Sequence, residues 1–81
     1  MNRAAVSITA NIAEGFVRKN KKEKIQFYFI ALGANTELHN HILIARDLKY
    51  IKPEQADQLI NEVIESSKLI NSLISSCKSL N

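Results

Sequence analysis

Ala10-Asn11-Ile12-Ala13-Glu14-Gly15-Phe16 closes one helical pattern, and Asn20-Lys21-Lys22-Glu23 opens the next. Asparagine is a favoured N-cap, and an acid three residues on makes a variant of the capping box. Upstream, at about 100° per residue, Ala5, Ile8, Ile12 and Phe16 fall on one face of a helix over residues 2–18. Arg3, Ser7, Asn11, Glu14 and Arg18 fall opposite, with Glu14 and Arg18 at i, i+4 in the favourable order. Gly15 either loosens the last turn or admits a close neighbour.

Downstream of the cap, a second helix is expected over residues 21–48. Ile25, Phe29, Leu32, Thr36, His39 and Leu43 share one face, and Phe27, Ala31, Leu38, Ile42 and Ala45 form an adjacent apolar face. A helix apolar over more than half its circumference is buried on two sides, so this is the central helix. Gly33 costs about 1 kcal/mol relative to alanine in such a helix and is read as a close helix–helix approach. Lys49-Tyr50-Ile51-Lys52 breaks the pattern. Pro53 suits the first position of a third helix over residues 53–79, with Glu54 and Asp57 favouring its N-terminus. So short a connection implies an antiparallel neighbour. Ala56, Leu59, Val63, Ile70, Leu73, Ile74 and Cys77 line one side of it, while Ser66 and Ser67 leave a dent for a large partner side chain. The serine-rich end, 75–79, is expected to fray.

The fold class is therefore all-α: an antiparallel bundle of three long helices in a single domain over residues 1–81. A chain this short buries a modest core and usually needs tight packing, a staple or a partner. Cys77 is the sole cysteine, which excludes an internal disulfide and a cysteine-based zinc cage. No secretory signal and no membrane-length apolar run is evident, so a cytoplasmic location is expected. His39 and His41 point about 200° apart on a helix and cannot share one ion, and Glu37 with His41 makes too small a ligand set. No nucleophile–base pair and no glycine-rich phosphate loop is present, so neither catalytic residues nor cofactors are expected.

Charge is uneven. Residues 1–24 carry six bases against two acids, and residues 25–81 carry five bases against six acids. Lys21, Lys22 and Lys24 stand in the first turn of the second helix, where the helix dipole prefers negative charge. Local stability does not account for them. Exposed N–H groups beside clustered lysines form a phosphate-binding end, so Arg3, Arg18, Lys19, Lys21, Lys22 and Lys24 are the candidate nucleic-acid-binding residues. A solubilising corner is the competing reading.

The order and spacing of Ala4-Ala5-Val6-Ser7-Ile8, Ala10-Asn11-Ile12-Ala13-Glu14-Gly15-Phe16, Arg18-Lys19, Lys22-Glu23, Ala31-Leu32-Gly33 and Ala45-Arg46-Asp47-Leu48 resemble the bacterial 23S rRNA intervening-sequence protein family. The resemblance implies an up-down four-helix bundle assembled as a ring-like homopentamer. It also implies kinship with the basic accessory variability proteins of retroelements, which bind nucleic acid. In that family another helix precedes the segment matching Arg3-Ala4-Ala5-Val6-Ser7, so this chain is expected to supply helices two to four. The departures are Thr9 where the family usually has proline, His39 where an acid is common, and a second loop without the usual glycine and serine. A three-helix unit exposes the face a first helix would cover, and the chain is expected not to be a monomer. Candidate interface residues are Asn11 and Glu14 on the polar face, with Phe27, Leu38 and Ile42. The expected function is a non-enzymatic oligomer that binds RNA or other nucleic acid through its basic patch, with a pure protein-interaction scaffold as the alternative.

Overall fold

The computed structural model describes residues 3–79, folded as three helices: α1 (Arg3–Val17), α2 (Lys21–Asp47) and α3 (Pro53–Ser79). Each boundary lies within one residue of the sequence reading, although the expected start at Asn2 falls outside the described residues. Asn20 is extended, and its Oδ1 accepts the Glu23 N–H at 3.2 Å, so the cap read from the sequence starts α2. At the other end, Tyr50 N–H donates to Ala45 O and Lys49 N–H to Arg46 O, the paired bonds of a Schellman motif. Lys49 occupies its left-handed position at φ 65°, where glycine is usual. Pro53 opens α3 as expected. Gln55 Oε1 accepts the Lys52 N–H at 2.9 Å and fixes the entry of the chain. The C-terminal serines stay helical to Ser79 instead of fraying, and the Ser79 hydroxyl donates to Ser76 O at 3.1 Å.

The chain measures 47 × 21 × 14 Å, the long dimension being close to the roughly 40 Å of a 27-residue helix. α1 and α3 each pack along α2 and barely touch one another, so α2 is the central helix. Its buried seam is Tyr28, Ala31, Asn35 and Ile42, with Leu38 half-buried beside them. One cluster joins Ile8 of α1, Tyr28 and Ala31 of α2, and Ile70 and Ile74 of α3. A second joins Ile42 to Ala56 and Val63, with Ile51 and Ile60 against it. Cys77 packs against the first cluster as a small apolar side chain.

Several side chains depart from the faces expected for them. Phe16 is 62 % exposed and does not join Ile8 in the core. Gly15 takes the inward position instead, because the ring of Tyr28 lies where a Cβ at residue 15 would be. Turning Gly15 inward turns its neighbour Phe16 away by about 100°. On α2, the Ile25–Phe29–Leu32–Leu43 side is only half-covered and Phe29 is 48 % exposed, since both flanking helices sit on the Tyr28 side. Gly33 is exposed, and an added Cβ would meet nothing within 4 Å among the described residues, so neither flanking helix approaches it. The dent at Ser66 and Ser67 is filled from within at Ser67, while Ser66 stays on an open groove. Asn35 Nδ2 donates to Val63 O at 2.9 Å and to Ser67 Oγ at 2.7 Å. Among the described residues, no helix is long and apolar enough to cross a membrane.

Candidate nucleic-acid interface

The turn between α1 and α2 gathers five of the six basic residues singled out by the sequence, and the structure gives them different work. Lys24 reaches back across the turn, its Nζ donating to Gly15 O at 3.0 Å and Phe16 O at 2.9 Å. It therefore closes the C-terminus of α1, whose last carbonyls lack helical partners and carry the negative end of the dipole. This explains a lysine that looked unfavourable when α2 was read alone. Arg18 Nη2 donates to Glu14 Oε2 at 2.8 Å, and its guanidinium lies over Phe27 at 5.0 Å from the ring centroid. Its Nε is buried without a partner among the described residues. An exposed pair of this kind contributes a few tenths of a kcal/mol, and the cation–π contact adds roughly 0.5–1 kcal/mol.

Lys19, Lys21 and Lys22 form no ion pair among the described residues, leaving their charge available at the corner. They surround a helix end with spare donors. The Glu23 and Lys24 N–H groups are taken by Asn20 Oδ1 and Asn20 O, which leaves those of Lys21 and Lys22 for an outside acceptor. Arg3 stands at the far end of α1, about 22 Å along the axis, and does not join the cluster. The contiguous basic surface is thus smaller than the sequence reading: three lysines, flanked by a committed arginine and a capping lysine.

The candidate interface residues scatter likewise. Glu14 is exposed and paired with Arg18, while Asn11 is half-buried and donates to Ser7 O within its own helix at 2.8 Å. Phe27 lies half-buried under Arg18. Leu38 packs against both core clusters, and Ile42 is 7 % exposed inside the second. Leu38 and Ile42 also floor an open groove of about 320 Å³, walled by Ala5, Ile8 and Thr9 of α1 and by Leu59, Glu62, Val63 and Ser66 of α3.

A family model described as the 23S rRNA-intervening sequence protein matches residues 1–72. The chain belongs to that family. Comparison with curated proteins and with solved structures gives no match. In this intervening-sequence protein the groove between α1 and α3 leaves part of the apolar seam of α2 open between two flanking walls.

Two contacts set the flanking helices on α2: the sequence reading offered Gly15 a close neighbour without naming it, and it passed over Asn35. Tyr28 locks α1 onto α2 through Gly15, and Asn35 locks α3 onto α2. Tyr28, Ala31, Asn35, Leu38 and Ile42 recur at alternating spacings of three and four, a seam that also carries the polar residue. That spacing was the available signal. It was masked by the many other apolar residues around α2.

Proposed function

We propose that this chain is a non-enzymatic, self-associating helical-bundle protein of the 23S rRNA-intervening sequence type that holds a nucleic-acid backbone at its α1–α2 turn. The observation that carries this reading is the set of unpaired lysines, Lys19, Lys21 and Lys22, around a helix N-terminus with two spare N–H donors. Such a corner neutralises phosphates and positions a backbone without reading bases. Repeated around an oligomer, pentameric by the resemblance, it gains affinity through multivalency. Phe16 and Val17, 62 % and 72 % exposed at the same corner, favour a protein partner as the second reading.

Binding of labelled single-stranded RNA, followed by fluorescence anisotropy against salt, tests the proposal. Three lysines on phosphates give a log–log slope of roughly −2 per engaged chain. Replacing Lys19, Lys21 and Lys22 by glutamate abolishes binding with helicity unchanged. Affinity that ignores salt, or survives the triple replacement, overturns the electrostatic site and leaves the protein-partner reading.

A further inference from the structure

Two of the three helices present apolar residues on the side turned away from the core. On α1, Val6, Ala10, Ala13 and Val17 recur at spacings of four, three and four, and all are exposed, the valines by 49 % and 72 %. On α2, Ile30 and Ile44, 48 % and 54 % exposed, share the outward side with Gly33. The outward side of α3 is more polar, with Asp57, Asn61, Glu65, Lys68 and Ser72 along its middle and the exposed Ile64 and Leu69 at its edges. Gly33 is the most informative of these residues. Mid-helix glycine is costly, and nothing among the described residues comes near enough to use the missing side chain.

We infer that the outward stripe of α1 in one copy packs on the outward face of α2 in a second copy, crossing at Gly33. This rests on the self-association proposed above and assigns its surface. The two faces match in shape, since Ala10 and Ala13 form a low ridge and Gly33 a notch, and small residues let helix axes approach closely. They also match in charge, and charge selects the direction. With Ala10 over Gly33, an antiparallel crossing carries Arg3, two turns away, over Asn40 and beside Glu37. A parallel crossing would carry Arg3 over Gln26, between Lys22 and Glu23, and would set Glu14 over Glu37, a like-charge pair. The contact pairs two different faces, so a copy with one face blocked still offers the other.

The test uses the full chain and its molar mass by light scattering at micromolar concentration. Ala13→Gln and Gly33→Gln each place a long side chain on one face, at exposed positions where glutamine is a good helix former. The wild type is expected above one-chain mass, and each variant at one-chain mass with helicity retained. An equimolar mixture of the two variants is expected to form a two-chain particle, because each supplies the face the other lacks. Arg3→Glu and Glu37→Arg each weaken association, and the double variant recovers it. A wild-type oligomer whose mass neither variant changes overturns this assignment while leaving self-association standing. A mixture that stays at one-chain mass overturns the α1-on-α2 contact. A monomeric wild type removes both this contact and the self-association on which it rests.

Discussion

Replacing Gly15 by alanine puts a methyl carbon 2.5 Å from Tyr28 Cε1 and 2.9 Å from Cδ1, where ordinary carbon contacts lie at about 3.5–4.0 Å. The ring cannot swing aside, because Tyr28 is 2 % exposed and set among Ile8, Ala31, Ile70 and Ile74. The relief must come from α1, which has to lift by roughly 1 Å and give up part of its packing through Ile8 and Ile12. Overpacking of this kind costs about 1–3 kcal/mol, while helix propensity returns about 1 kcal/mol. With so rigid an obstacle the upper part of the range applies, and the net loss is about 1–2 kcal/mol. For a domain of this size that lowers Tm by about 4–16 °C. Far-UV circular dichroism through a thermal ramp at one fixed protein concentration reads it directly. Tyr28→Leu removes the ring edge, so Gly15→Ala combined with Tyr28→Leu is less destabilised than the two single losses added together. Gly15→Ala folding as stably as the wild type, or strictly additive losses, would refute the claim that this contact sets the position of α1.

Asn35→Ala removes both bonds to α3 and leaves a small void, so urea unfolding should show a loss of about 2 kcal/mol, and a loss below about 0.5 kcal/mol would contradict the lock. Lys49→Gly relieves a left-handed residue at φ 65°, with the freedom of glycine in the unfolded chain offsetting part of the gain; a rise of about 0.5–1 kcal/mol is expected, and a fall would show that Lys49 is held there by something else. Burial, and secondarily the Cys77 thiol, push the Tyr28 phenol above its ordinary pKa of 10.0. The unfolded chain then releases that proton first. The contribution of this group is constant below about pH 10 and is lost as pH rises through the folded-state pKa. The difference in unfolding free energy between wild type and Tyr28→Phe should therefore stay flat at neutral pH and shift against the wild type only above about pH 10.

The sequence by itself determined the helices and their ends. Asn20, Pro53 and the spacing of Ala56, Val63, Ile70 and Ile74 act within one or two turns of backbone, so their effects are legible residue by residue. It also located the basic corner, since charge density along the chain needs no fold to be counted. What it left open was which side of each apolar-rich helix turns inward. α2 has apolar residues around most of its circumference, and periodicity could not rank the Phe29 side below the Tyr28–Asn35 side. Tertiary structure ranked them, through two contacts between residues distant in sequence. Gly15 is the place where α1 can meet the Tyr28 ring, and Asn35 is the polar group that the backbone and hydroxyl of α3 satisfy. The same holds for Lys24, unfavourable on its own helix and explained by the open end of another. A partner's unsatisfied groups decide such a residue's role, and those become visible only once the helices are set side by side.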